Sequence, residues 1–410
     1  MLRQLPPTAV PLTWADLRLG LNPPANAQAE FGAVLAQHLG VPTCHLASSG
    51  RTALYVLLQT LSGAADHPAR KEVLLPAYTC PALVKVALDL ELQPRLVDIS
   101  PRTLAIREDH LVACLGEQTL AVICVHPFGI PHVIEDILAL AHANGAVVIE
   151  DACQAMGARL AGQPVGTQGD FGLFSLGPGK PLSTGGGGVL AINNSHYTRL
   201  VEQSWAALAQ PSTLAAWWTQ IRMALFGLAF HPTGWWLATR VGLHRVGNYE
   251  TSWGYTLSKL SAAQAAVGLA LFGSLDEING QRIAHARRLS SGLQELDSIQ
   301  IPLPAASAEP IYLRLPLIIS GAEQRERLFR RLWAAGISAG RMYGQPLSDF
   351  FPQLAAERYP GAEYVARHLL TLPTHHYLST ADVDKIVQIC IALTKLGSEA
   401  VTSPEGESGA

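Results

Sequence analysis

The sequence predicts an α/β protein: a large domain built on a mostly parallel sheet, followed by a smaller α+β domain. Three observations carry this. From about Asn26 to Leu269 short apolar runs alternate with stretches of helical spacing, the order of strands joined by crossover helices. Val147–Ile149 is β-branched throughout, as a strand buried on both faces should be. With 410 residues, 49% hydrophobic and 15% charged, the chain can bury a large core and fill two domains.

In chain order, EVLLP (72–76), PRLVDI (94–99), AVICVH (121–126), VVIED (147–151), LFSL (173–176) and GVLAI (188–192) are the expected strands of the large domain. Helical spacing runs over Arg51–Leu61, Pro81–Leu90 and Val133–Asn144 between them. Leu260–Leu293 reads as a long helical bridge to the smaller unit, where IYLRLPLII (311–319) is a strand and 328–335 and 381–393 are helices. The expected division is 1–265 and 266–398, with a polar tail at 399–410 expected to be disordered.

A net charge of −3 without a Lys/Arg cluster excludes nucleic acid as a partner. Cys44, Cys80, Cys114, Cys124, Cys153 and Cys390 are scattered, with no metal-ligand spacing, so no metal is expected and a reducing cytoplasm is the simplest setting. The N-terminus has two early prolines and no continuous apolar core, which makes a poor signal peptide.

The chemistry gathers between Val147 and Val189. Glu150 and Asp151 arrive where their strand should end, and the carboxyl ends of strands are where open α/β sheets bind ligands. Lysine is scarce, and of the six only Lys180 lies in a Gly/Pro-rich turn, between a strand and the Gly185–Gly188 run. GPGK at 177–180 is not a phosphate loop, because Phe174 stands at the first glycine position and Pro181 replaces Ser/Thr. A carboxylate that keeps a pyridine nitrogen protonated, and a lysine that takes an aldehyde as a Schiff base, are what pyridoxal phosphate (PLP) requires. Taken singly, each residue has an ordinary structural reading: Asp151 as a helix cap, Ser175 as a buried hydroxyl, Lys180 as a surface charge, and the Ser48-Ser49-Gly50 turn as an N-cap. That turn, opening an apolar helix, also suits an anion.

In their joint order the motifs resemble the DegT/StrS-type family of PLP-dependent sugar aminotransferases, of fold type I. They are SSGRTAL (48–54), LLPAYTC (74–80), VDISPRTLAI (97–106), VHPFG (125–129), VIEDACQAMGA (148–158), FSLGPGK (174–180) and LPTHHYLSTADVDKIV (372–387). The resemblance spans most of the chain outside 195–250. It implies that Lys180 carries the cofactor and moves the proton, that Asp151 pairs with the pyridinium nitrogen, and that Gln154 sits beside the phenolic oxygen. Ser175, with Ser49, Gly50 and Arg51 of the turn, would bind the phosphate, and Cys80 stands at the position of the family's ring-stacking aromatic. Tyr78, His126, Tyr343 and His375 are the implied substrate residues. The implied reaction passes an amine from an amino donor, usually L-glutamate, to a keto sugar, nucleotide-activated, in cell-surface polysaccharide or natural-product biosynthesis. A homodimer with shared active sites is implied as well. The alternatives are a sugar dehydratase, in which histidine replaces the Schiff-base lysine, and a relative that binds PLP without turnover.

Several positions depart from that pattern. Besides Cys80, Arg51 replaces the expected Thr, with Thr52 one place on. Gly254 aligns with an Asn that a neighbouring subunit contributes to the phosphate, and RMYG (341–344) keeps only Tyr343 of the family's HYP turn. An apolar insertion occupies about 205–250. Within it Leu214, Trp217, Trp218, Ile221, Leu225 and Leu228 recur at helical spacing, while Gln220, Arg222, His231 and Pro232 interrupt any membrane span. Two readings of 213–245 follow: a hairpin buried in the dimer contact, or one lying on a membrane with Arg222, Arg240 and Arg245 at its edges. The second would place a cytoplasmic enzyme at the inner face of the membrane and admit a lipid-linked sugar.

Overall fold

In a computed structural model of the chain, residues 2–9, 11–64, 70–242, 254–355 and 357–399 are described; Arg245 and residues 400–410 of the expected tail lie outside them. The strands of the first part are β1 (Thr43–Ala47), β2 (Glu72–Pro76), β3 (Gln93–Val97), β4 (Thr119–Val125), β5 (Val147–Asp151), the two-residue β6 (Arg159–Leu160) and β7 (Gln163–Pro164), β8 (Phe171–Ser175) and β9 (Gly188–Ile192). Seven of them form one sheet in the order β1-β9-β8-β5-β4-β2-β3. It is parallel from β8 to β3, and β9 runs antiparallel to both of its neighbours. All five residues of β5 are buried, as its β-branched run predicts. The sequence reading did not include β1, because TCHLA mixes polar and apolar residues; it is an edge strand paired only with β9.

The helices here are α1 (Trp14–Leu21), α2 (Ala27–Leu39), α3 (Gly50–Ser62), α4 (Pro81–Asp89), α5 (Glu108–Cys114), α6 (Glu135–Ala143), α7 (Thr198–Ala206), α8 (Thr213–Ala229), α9 (Pro232–Arg240), α10 (Ala262–Phe272) and α11 (Leu275–Leu293). In α3, Ser49 Oγ caps the helix by accepting the Thr52 N–H at 3.0 Å, and Leu54, Leu57, Leu58 and Leu61 bury one face at helical spacing. Pro81 opens α4 where its missing N–H costs nothing. The expected bridge at 260–293 is two helices. The break falls at Gly273-Ser274, where glycine weakens the helix and the acidic first turn of α11 favours a fresh start.

The second part holds β10 (Ile299–Gln300), β11 (Ala308–Glu309), β12 (Arg314–Ile319), α12 (Ala322–Ala334), α13 (Leu347–Phe350), α14 (Pro360–His368), β13 (Leu369–Pro373) and α15 (Thr380–Glu399). Strands β10, β12 and β13 make an antiparallel sheet whose Leu315, Leu317 and Ile319 pack with Leu289, Leu332 and Ile386. β12 begins later than expected, because Tyr312 takes φ +47°. Leu5 joins this cluster and its N–H donates to Gly336 O at 2.8 Å, so the N-terminal segment, expected in the large domain, packs on the C-terminal unit. We place the division between units at Gly273, with the first residues belonging to the second unit.

Two histidines tie stability to pH. His132 and His375 are buried, and burial, first among the causes, lowers each imidazole to about 3. A folded pKa below the ordinary value of 6.5 means that the unfolded chain binds the proton first. Their contribution is complete above pH ~6.5 and is lost as pH falls toward ~3. Denaturant titrations should show stability falling between pH ~6.5 and ~4.5 by several kcal/mol, on the order of one per histidine per pH unit. A His375→Gln variant should flatten that slope; an unchanged slope would remove His375 from the account.

Candidate active site

Strand register brings the functional side chains to one sheet edge. Val125 and Asp151 end neighbouring parallel strands in register, and Ser175 ends β8 one strand further on. Because β9 runs the other way, its first residue, Gly188, faces both Ala47, the last residue of β1, and Ser175. The start of α3, the end of β8 and the glycine run therefore converge. A Cβ at Gly188 would lie 2.4 Å from Ser49 O and 2.5 Å from Gly50 N, so only glycine lets the strand approach the helix start. Gln264 Nε2 holds the run by donating to Gly186 O at 2.9 Å.

A cavity of about 830 Å³ opens at this edge. Lys180, Asp151, Gln154, Ser175, Ser49, Gly50, Arg51 and Cys80 all line it, as do His126 and Tyr343. Asp151 is buried and fixed by the Cys153 N–H, which donates to its Oδ1 at 3.0 Å. Gln154 is oriented from both ends. Its Oε1 accepts the Phe128 N–H at 3.0 Å, which turns its amide nitrogen toward the Tyr343 hydroxyl at 3.4 Å. Ser175 Cβ lies 3.5 Å from where a Gly50 Cβ would stand, so its hydroxyl and the N–H groups of the α3 start share one corner. Burial raises the Cys80 thiol against the pull of Lys180, and burial with Asp151 raises Cys153 well above its usual range, so both are neutral thiols.

The structure corrects several expectations. Thr52, one place on from the family's Thr, does not take over its hydroxyl's role, since its own hydroxyl is buried and donates to Thr256 O at 2.9 Å. Nor can His126 offer a polar atom to substrate. Its Nδ1 accepts the His132 N–H at 3.0 Å, which leaves the proton on Nε2, directed at Glu150 at 3.0 Å. Tyr78 is not on the cavity wall; it packs edge-on to Tyr343, ring centres 5.3 Å apart. His375 is away from it too, its Nε2 donating to Pro6 O at 2.8 Å under the N-terminal segment. Gly254 lines its own chain's cavity and brings no side chain to it.

Sequence reasoning missed two features. Glu150 is a buried hub that accepts from His126 and from the N–H groups of Gly166 (2.8 Å), Gln168 and Gly169 (both 2.6 Å). Burial works to raise its carboxyl, but His126 and these N–H donors prevail and hold it below the usual range. Its one sequence signal is a carboxylate inside an apolar strand. The other is α8, whose Trp218, Thr219, Arg222 and Phe226 form part of the cavity wall. No motif marks them, because they lie inside the insertion.

The family model for DegT/DnrJ/EryC1/StrS aminotransferases matches residues 24–390. The chain belongs to that family. It is therefore a PLP-dependent sugar aminotransferase, which acts on a keto sugar with an amino donor. The chain is 28% identical over 345 residues to UDP-N-acetyl-3-dehydro-α-D-glucosamine 3-aminotransferase of Acidithiobacillus ferrooxidans, covering 83% of this chain and 82% of that one. It is 26% identical over 323 residues to dTDP-4-dehydro-2,6-dideoxy-D-glucose 3-dehydratase of Saccharopolyspora spinosa, covering 76% and 66%. Among solved structures, the sugar aminotransferase CalS13 of Micromonospora echinospora superposes with a TM-score of 0.76 at 24% identity, over 95% of this chain and 99% of that one. At that identity the superposition speaks for the fold, which is fold type I.

The residues present fit PLP. The glycine-lined corner with Ser175 suits a phosphate, a buried carboxylate stands at the end of β5, and Lys180 lines the same cavity.

Proposed function

We propose that this aminotransferase moves the amine of L-glutamate to the ketone of a nucleotide-activated sugar, as a homodimer, in making a cell-surface polysaccharide or a natural product. The charge of the cavity carries the reading: Arg51, Lys180, Arg222 and Lys259 line it, with Lys85 held by Asp89, against one carboxylate among the described residues, Asp151. That excess exceeds what the cofactor phosphate needs and suits a diphosphate-bearing acceptor. The 3-aminotransferase relative, whose name specifies a UDP-linked sugar, points the same way.

Bound in the cavity, PLP supplies the electron sink that lets an amine pass between two carbons. The chain does the rest. Gly50 and Arg51 N–H groups and the Ser175 hydroxyl would hold the phosphate, Asp151 would pair with the ring nitrogen, and Gln154 would donate to the ring's oxygen. Lys180 Nζ takes the proton from the donor's Cα and delivers it onward, while Arg222 and Lys259 receive the acceptor's phosphates. Lys180 also speaks against dehydration, which the name of one relative specifies and which in this family goes with histidine at that position.

The test is the visible absorption of the PLP-loaded protein. L-Glutamate should bleach it, and a nucleotide-linked keto sugar should restore it. Bleaching by L-glutamine alone would reassign the donor, and no bleaching by any donor would favour a relative without turnover. Arg222→Gln should raise the KM of the nucleotide-linked acceptor about tenfold or more while leaving the glutamate half-reaction unchanged. An unchanged KM would remove Arg222 from the acceptor site.

A further inference from the structure

The insertion is built inside out. Leu214, Trp217, Trp218, Ile221, Leu225 and Leu228 form one stripe of α8, the face that in a globular protein turns to the core. Here the other face is buried: Gln220 lies against Gly20 of α1, and Met223 packs on Gly185. The stripe is 40–68% exposed along its whole length. Leu237 on α9 and Trp14 and Leu21 on α1, the helix that packs on α8, add to the exposed apolar surface. A patch of this extent marks a surface meant to be covered.

Charge indicates by what. From Gln203 through Tyr249 the sequence contains no Asp or Glu, although the whole chain has 32 of them against 29 Lys and Arg. Of the charges in α8 and α9, Arg222 lines the cavity, and the Arg240 guanidinium lies over the Trp236 ring, 5.3 Å from its centre. Asp16, the one acid of α1, is occupied in the Thr13 capping box. A two-fold contact whose axis runs through the stripe would bring two acid-free faces together, with no carboxylate on α8 or α9 to meet their cations. An anionic lipid surface supplies the missing charge, and tryptophan with arginine beside an apolar stripe is the composition that settles at a bilayer interface. No helix among the described residues is long and apolar enough to cross a membrane, so the contact is one of lying on it.

We propose that the α8–α9 hairpin docks on an anionic lipid surface. Trp218 belongs to both the stripe and the cavity wall, so docking sets the cavity mouth beside the lipid headgroups. The inference is independent of which sugar is aminated.

Flotation of the full-length, PLP-loaded protein tests it, using vesicles of phosphatidylcholine alone and of phosphatidylcholine with phosphatidylglycerol. Protein should rise with the anionic vesicles, far less with the neutral ones, and the anionic binding should weaken with salt. Trp217→Glu with Leu225→Glu, at positions off the cavity wall, should cut vesicle binding at least about tenfold and leave the glutamate-dependent bleaching intact. Three results would overturn the proposal. These are wild-type protein that stays at the bottom with anionic vesicles, a double variant that still floats, and a double variant whose light scattering shows a dimer turned to monomer, which would assign the stripe to a second copy.

Discussion

Lys180→Ala should reduce amine transfer by roughly 10²–10⁴-fold or more, the loss expected when a positioned proton carrier is removed. The fold should survive, because what holds this turn is backbone. The Lys180 N–H donates to Gly177 O at 3.3 Å, and Gly179 takes φ +77° against Thr8, whose hydroxyl donates to Gly179 O at 3.4 Å. Lys180→Arg separates charge from chemistry. Arginine keeps a cation in the cavity but cannot release a proton near neutral pH, so it should be as inactive as alanine. Both variants should also lose the lysine-dependent visible band, read on protein whose melting temperature is unchanged. Activity within about tenfold of wild type in either variant would move the proton transfer to another group.

The fold was legible wherever the sequence is locally consistent. β2 and β9 sit where their apolar runs predict, and α3 and α4 start and stop within a residue of expectation. Each of these is bounded by its own punctuation: Ser49, Pro81, the glycine run. β1 was missed because its alternation of Thr43 and His45 with buried Cys44 and Leu46 is only four residues long, and β13 because LLTLP looks like any short apolar run until β12 is beside it. The site divides the same way. That Asp151, Gln154, Ser175 and Lys180 meet at one cavity was legible because they follow elements whose ends the sequence marks. His126, Tyr78 and His375 were assigned to substrate from their motifs, yet their environments are set by distant partners. Those partners are Glu150 with the His132 N–H, the Tyr343 ring and Pro6 O, and no local pattern announces them. α8 was legible as an amphipathic helix, while which face it would bury was not, since Gln220 and Met223 are chosen by Gly20 and Gly185.

Asp151→Asn isolates one charge in a setting otherwise kept. Asparagine has the same size, and its carbonyl oxygen can still accept the Cys153 N–H that Asp151 Oδ1 accepts at 3.0 Å, so the end of β5 should not move. What disappears is the negative charge that, on the proposed reading, would face the ring nitrogen, in a buried position where water cannot replace it. Without that charge a bound PLP ring would be a weaker electron sink. The expected cost is roughly 10²–10³-fold in kcat, the range found when one preorganised electrostatic partner is removed. Cofactor retention should fall much less, because Lys180 and the phosphate corner at Gly50 and Ser175 are untouched. Asp151→Ala should be worse on both counts, since it also strands the Cys153 N–H. The Cys153 thiol gives an independent reading. Burial is the larger cause of its raised pKa and Asp151 the next, so in Asp151→Asn that pKa should drop without reaching the ordinary range. Thiol reactivity should thus rise modestly while turnover collapses. If turnover and thermal stability fell together and thiol reactivity rose steeply, the variant would have opened the site, and Asp151 would be a structural residue.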